Sequence, residues 1–378
     1  MTPRWTEALA RMRARVGRTA ERVTAGFPHV ADPATGTWTT SPAGDWTGGF
    51  WNGMLWLAAR YGDDPRARTW AQAWTGRLAP RAGSDTVFRG FLFYYGAALG
   101  AMLCKDAAAR DVALAGAHGL ASSYNPRAEA LPLGAEAEEA SDVGAGEANV
   151  DTVQASALLL WAYRETGDAT LREIALRHAA RHIEFCLRDD GSVCQSASFD
   201  PATGRMRRRY THKGFGDDST WGRAQAWGIL GWTLTHAWSG EPRFRDAAER
   251  AADWWLAHAP ADRVAFWDFD DPKIPDTYRD TSATAIVTAA LLTLAPRAST
   301  PARQRAYRDA AEATAAALVE RHLRPDGVLA DGCYSPRIGL ATRHELIWGS
   351  YYLFEALHAL AGRYDPSKIG GEESGWRG

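Results

Sequence analysis

Apolar residues recur every three to four positions along most of this chain, in two alternating styles. Six stretches, 48–61, 88–104, 151–166, 219–238, 280–294 and 347–362, are apolar on nearly every side. Between them, 4–23, 65–79, 106–122, 169–187, 243–257 and 301–322 carry one apolar stripe against a charged face. A helix that is apolar all round belongs inside, and a striped one belongs outside. The alternation predicts an all-α fold, an (α/α)6 barrel of six inner and six outer helices. The junctions "ARYGDDPRA" from Ala59, "YRETGDATL" from Tyr163 and "HAWSGEPRF" from His236 each put a glycine where a helix can close in the left-handed region. A charged helix follows each one, so the chain reads as a weak repeat of helical hairpins.

The main β signal is "SVCQSASFDPATGRMRRRYTHKG" (192–214), short alternating runs around an Asp-Pro-Ala-Thr-Gly turn, expected as a hairpin near 192–212. Residues 127–150 are rich in Ala, Gly and Glu without an aromatic, and read as a long loop of functional or mobile character. We expect one barrel domain over 1–365 and a loosely held tail over 366–378.

Charge narrows the partners. With a formal net charge of −2 over 378 residues there is no basic stripe for nucleic acid or an anionic membrane. "RMRRR" (205–209) reads as one exposed strand of the hairpin. The four cysteines, Cys104, Cys186, Cys194 and Cys333, form no C-x-x-C pair, and no metal site or cofactor is expected. The amphipathic N-terminus lacks the apolar core of a signal peptide, and no run reaches the roughly 18 apolar residues of a membrane span. The expectation is a soluble cytoplasmic protein. Seventeen tryptophans fit either an aromatic-rich core or a concave surface for flat ligands such as sugars.

Chemistry should gather where the inner helices begin. Trp46, Trp51, Asp151, Trp221, Arg223, Asp280 and Trp348 all fall there. Asp280 before "TSAT", and Asp217 and Asp218 before "STW", have the spacing of helix N-caps. Asp151 could cap too, but Asn149 offers a cap two residues earlier. An acid at the apolar mouth of "ALLLW" would have its pKa raised by desolvation, as a general acid needs. Arg223 and Trp227 lie four apart on one helical face. An arginine among indoles needs an anion, either Asp217 or Asp218 or a substrate carboxylate.

Seven blocks in order, "FPHV" (27–30), "DWTGGFWNGMLWLAARYGDD" (45–64), "VDTVQASALLLWAYRETGD" (150–168), "FDPATG" (199–204), "THKGFGDDSTWGRAQAWGI" (211–229), "WDFDDPKIPDTYRDTSATAI" (267–286) and "IWGSYYLFEAL" (347–357), resemble the unsaturated β-glucuronyl hydrolase family. The resemblance spans nearly the whole chain. It implies a metal-free glycosidase that releases 4,5-unsaturated glucuronic acid from lyase-generated oligosaccharides, so the implied partner is an acidic unsaturated oligosaccharide. It further implies Asp151 as the acid and base, with Trp46, His212, Arg223 and Trp227 in the pocket and Ser335 beside them. Asp85, Glu147 and Asp218 stand next in line as the acid.

Departures from the family pattern bear on mechanism. The family's His-Asp-x-Gly-Phe motif, with a second carboxylate, is "VFRGF" here, so Val87 and Phe88 replace the His and Asp. Gln195 stands for a family His by the hairpin, and Lys213 for a Gln beside His212. Arg89 and Lys213 would lower the pKa of a nearby Asp151, and Phe88 would raise it. An unsaturated rhamnogalacturonyl-type hydrolase, another (α/α)6 chemistry, or a uronate-binding protein without turnover are the alternatives.

Overall fold

The structure is a computed structural model that describes residues 3–138 and 146–370. Helices α1 (Pro3–Arg22), α3 (Arg66–Leu78), α6 (Ala107–Ala121), α8 (Ala169–Cys186), α10 (Pro242–His258) and α12 (Pro301–Arg321) form the outer layer. The inner layer is α2 (Gly48–Tyr61), α4 (Arg89–Phe93) continuing through the π-helical turn Tyr94–Ala98 into α5 (Leu99–Cys104), α7 (Ala155–Thr166), α9 (Gly222–Ser239), α11 (Thr281–Leu294) and α13 (Ile347–Leu360). Each inner helix packs on the next, and α13 returns to α2, so the ring closes. This is the (α/α)6 barrel that the alternation predicts. Every residue of α11 is buried, whereas α12 buries only its inward stripe.

Inner helices approach closely because glycine leaves room. A Cβ on Gly49 would lie 2.3 Å from the Phe91 carbonyl oxygen, and one on Gly90 would lie 2.7 Å from Ala155 Cα. Of the three junction glycines, Gly167 and Gly240 take the left-handed conformation, with φ of 78° and 74°. Gly62 instead is extended. There glycine is needed for space, since a Cβ would meet the Ala58 carbonyl oxygen at 2.5 Å.

Two small antiparallel sheets sit at the end where the inner helices begin. Strands β1 (Phe27–Ala31), β2 (Trp38–Ser41) and β6 (Glu345–Leu346) make one, in the order β2-β1-β6. Arg15 of α1 clamps this sheet through the buried Glu345 at 2.6 Å. The other sheet joins β3 (Glu147–Asn149) to the expected hairpin, β4 (Ser196–Phe199) and β5 (Met206–Tyr210), with β4 in the middle. Its outer strand is exposed, as "RMRRR" predicts. Sequence periodicity missed β1, β2, β3 and β6 because runs of two to five residues carry no readable alternation.

The region 127–150 is a loop that ends in β3, and its residues 139–145 lie outside the described part. Of the tail, 366–370 is tied down: Arg297 donates to the carbonyls of Pro366 (3.0 Å), Ser367 (2.9 Å) and Ile369 (2.7 Å). The rest of the tail lies outside the described residues. No described helix is long and apolar enough to cross a membrane.

Close helix approach is directly testable. Gly49→Ala should cost about 1–3 kcal/mol by overpacking, because the obstructing atoms are backbone. Urea unfolding of the variant should show a lower midpoint with an unchanged slope.

Candidate active site

The sheet β3-β4-β5 gathers the polar residues. Asp151 follows β3, Gln195 precedes β4 and His212 follows β5. The amide of Val150 donates to the Gln195 carbonyl at 2.8 Å, locking the two edges together. Three strands thus deliver to one place residues that are far apart in sequence.

Hydrogen bonds run along this cluster in one direction. The Lys213 amide donates to Gln195 Oε1 at 2.8 Å, which turns Gln195 Nε2 toward His212 Nε2 at 3.3 Å. His212 Nε2 therefore accepts, and the ring proton sits on Nδ1, 3.0 Å from Ser196 Oγ. The Ser196 hydroxyl donates onward to Asn149 Oδ1 at 2.7 Å. Asn149 holds the cap position before Asp151, but its side chain is used across the sheet and caps nothing.

Asp151 sits on a 3-10 turn, Val150–Gln154, and is only 6% exposed. Two buried histidines of α8 fasten that turn from behind. The Leu131 amide donates to His178 Nδ1 (3.1 Å), so His178 Nε2 carries the proton and donates to the Thr152 carbonyl (2.9 Å). His182 Nε2 lies 3.3 Å from the Thr152 hydroxyl. Burial holds both rings neutral, pushing His178 well below the usual histidine range and His182 down to about 4. Sequence reasoning missed this pair, although two histidines spaced i, i+4 on an inward stripe were a visible signal.

Aromatic rings enclose the mouth. Trp46 lies 4.7 Å from Trp348 and 6.1 Å from Phe88 between ring centroids, and stacks on Tyr334 at 6.4 Å. His29 packs on Tyr334 at 5.8 Å, and burial pushes its pKa down. Lys213 Nζ sits 5.0 Å above the Tyr334 ring, whose hydroxyl donates to Glu138 at 2.8 Å. Neither Tyr334 nor His29 was singled out in the sequence, because only the folded loop that carries Tyr334 and the strand β1 that carries His29 bring them together. The indole N–H groups of Trp46, Trp227 and Trp348 find no acceptor among the described residues. The same holds for Trp51, between helix layers against Trp74, and for Trp161 and Trp221, so an indole without an acceptor does not by itself mark the mouth.

Several expected residues sit differently. Arg223 is 1% exposed and has its anion inside the protein: Nη1 meets Asp280 at 2.8 Å. Nη1 also donates to the Cys333 carbonyl, and Nη2 donates to the Tyr334 carbonyl at 2.5 Å. Arg223 is thus a strut under Tyr334, and neither Asp217, Asp218 nor a ligand is needed to balance it. Asp280 does cap α11, accepting from the Ser282 amide at 3.0 Å. Asp217 and Asp218 cap nothing. Helix α9 starts later, at Gly222, because Asp268 holds the preceding turn through the Phe215 amide and the Ser219 hydroxyl.

Arg89 points into the protein, toward Thr86 O (2.9 Å), Ala82 O (3.0 Å) and Ser123 Oγ (2.6 Å), and pairs with neither Asp85 nor Glu147. Carbonyls between the helix layers satisfy it, so it leaves the mouth. Trp227 lies one layer below, against Phe91 at 5.0 Å. Ser335 is buried at the edge, its amide donating to the Leu340 carbonyl at 3.0 Å. Among the described residues no three His, Cys, Asp or Glu side chains converge as metal ligands.

An (α/α)6 barrel with an aromatic mouth, one buried acid and a polar chain beside it defines a carbohydrate-acting barrel enzyme. No family model matches the chain. It is 35% identical over 364 residues to the unsaturated glucuronyl hydrolase of Bacillus sp. strain GL1, covering 93% of this chain and 96% of the relative. It is 31% identical over 323 residues to the unsaturated chondroitin disaccharide hydrolase of Streptococcus pyogenes serotype M1, covering 83% and 80%. A crystal structure of the Bacillus sp. GL1 enzyme, described as responsible for glycosaminoglycan degradation, superposes with a TM-score of 0.88 at 34% identity, covering 94% and 96%. The chain belongs to the unsaturated glucuronyl hydrolase family and is a glycoside hydrolase.

The buried pair invites a double-mutant test. Arg223→Met or Asp280→Asn alone should cost about 3–5 kcal/mol, since each leaves a buried charge without its partner. The double variant should recover part of that loss in urea unfolding. Additive losses would mean that the two charges are not coupled.

Proposed function

We propose that this protein hydrates the C4=C5 bond of a 4,5-unsaturated glucuronic acid at the non-reducing end of an oligosaccharide, with Asp151 as acid and then base. The observation that carries this reading is the delivery of Asp151, His212 and Gln195 to one aromatic mouth by a single small sheet. The relatives' named activities, on unsaturated glucuronyl and chondroitin disaccharide substrates, support it.

The chemistry needs one well-placed carboxyl. Protonated Asp151 gives its proton to C4 of the enol ether, leaving a cation at C5 shared with the ring oxygen. Asp151, now a carboxylate, takes a proton from water as the water oxygen bonds to C5. The product is a hemiketal at C5, and the carboxyl is reprotonated. Opening the hemiketal breaks the bond from C5 to the ring oxygen and leaves a C5 ketone. The anomeric carbon is then a hemiacetal, which collapses to an aldehyde and releases the aglycone alcohol.

Local physics supports the acid role. Helix α4, which begins beside Phe88, packs against the turn that carries Asp151, and an apolar wall favours a protonated carboxyl. Arg89, which would oppose this, is bound to carbonyls elsewhere. Trp46 and Tyr334 offer ring faces to a sugar. Lys213, at the rim, suits added negative charge on the substrate, such as a sulfate or second carboxylate. The four cysteines are unpaired, which suits a reducing, cytoplasmic compartment.

Asp151→Asn keeps the shape but cannot pass the proton, so kcat should fall by about a hundredfold to ten-thousandfold. Loss of the conjugated enol absorbance with a lyase-generated disaccharide is the assay, and near-normal turnover would transfer the acid role elsewhere. Lys213→Gln should reduce kcat/KM for a sulfated disaccharide more than for its unsulfated match. Added salt should narrow the wild-type preference, because the lysine is only half-buried. Equal losses and a salt-independent ratio would remove Lys213 from charge recognition.

A further inference from the structure

A second cavity of about 520 Å³ opens at the opposite end of the barrel, where the inner helices finish. Its walls include Tyr94, Tyr95, Leu230, Leu234 and Trp238, and the segment tied down by Arg297 forms its edge through Tyr364 and Ile369. The π-helical turn that begins at Tyr94 lies in this wall, and such turns recur at functional sites.

Two acids line the cavity, Asp365 at its exposed edge and Glu355 further in. Glu355 of α13 accepts a hydrogen bond from Tyr351 at 3.0 Å. No lysine or arginine among the described residues comes within ion-pair distance of it. Six tyrosines, Tyr61, Tyr94, Tyr95, Tyr351, Tyr352 and Tyr364, feel its charge, which helps raise their hydroxyl pKa values. Burial pushes the Glu355 carboxyl up to about 7, with no cation offsetting the cost.

The other charged groups lining the cavity are exposed. Arg60 lies over the Tyr61 ring at 5.3 Å, and Arg363 donates to the Tyr61 carbonyl at 3.2 Å. Asp365 is spent capping Ser367, while Lys105 and Lys368 stand at the surface. The inner helices also turn their C-terminal carbonyls toward this end, which favours positive charge.

We propose that this basal cavity binds a protonated amine on an apolar body, with the Glu355 carboxylate taking the ammonium group and the tyrosine faces packing around it. A single deep carboxylate without a cationic partner leaves an uncompensated charge when ionised, and an ammonium ligand supplies the missing one. Aromatic faces add cation–π attraction. The site is separate from Asp151 and needs no part of the proposed hydrolysis.

The test uses phenethylamine and its neutral counterpart 2-phenylethanol with the full chain at pH 8, read by calorimetric titration and thermal shift. The amine should bind at least about tenfold tighter than the alcohol, a difference of roughly 1.4 kcal/mol. Glu355→Gln should abolish that preference while still unfolding cooperatively, and Leu234→Trp, which fills the cavity without touching the carboxyl, should remove binding of both probes.

At pH 5.5 the wild-type preference should shrink, because the carboxyl is then protonated. Without ligand, wild type should lose stability relative to Glu355→Gln as pH rises from 5.5 to 8. A carboxyl whose folded pKa is raised binds its proton more tightly when folded, so its contribution is lost as pH passes 7. Hydrolysis of an unsaturated disaccharide should show no competition by the amine. Equal binding of amine and alcohol, a preference surviving in Glu355→Gln, or no binding of either at 10 mM would each overturn the proposal.

Discussion

Arg223 and Asp280 form an ion pair with almost no exposure, 1% and 0% for the two side chains, and the mouth of the barrel is organised around it. A buried pair persists only when its remaining donors and acceptors are also satisfied. Asp280 Oδ1 accepts from the Ser282 amide and hydroxyl and from the Cys333 amide, while Arg223 holds the carbonyls of Cys333 and Tyr334. The pair joins α9, α11 and the loop that presents Tyr334. Tyr334 in turn touches Trp46, Trp348, His29 and Lys213. A buried ion pair thereby helps to set the aromatic geometry of the mouth.

Asp151, the proposed acid, is held by a different device. Its turn is pinned between a three-stranded sheet and two neutral histidines. Neutral rings suit this role, because a charged imidazole behind Asp151 would favour the carboxylate and work against proton donation. Phe88 stands where the family pattern has a second carboxylate.

The two ends of the barrel differ for a reason of helix polarity. Inner helices begin at the end that carries Asp151 and finish at the end that carries Glu355. Loops and short sheets enrich the first end with polar side chains. The second is a tyrosine-lined hollow closed by the segment after α13.

The barrel was legible in the residue pattern alone. Twelve helical stretches alternate in burial, and their boundaries agree with the structure to within a few residues because all-round and one-sided apolar patterns are local and strong. Its place before a wholly apolar run made Asp151 a candidate acid or cap, and the departure at Phe88 was visible only against the family pattern. What the sequence could not decide were pairings across long separations. Arg223 finds Asp280 rather than Asp217 or Asp218, Arg89 finds carbonyls rather than the mouth, and Tyr334 arrives from a loop with no periodicity. A charged side chain reaches several partners equally well in sequence, and only burial in three dimensions selects the one that satisfies it.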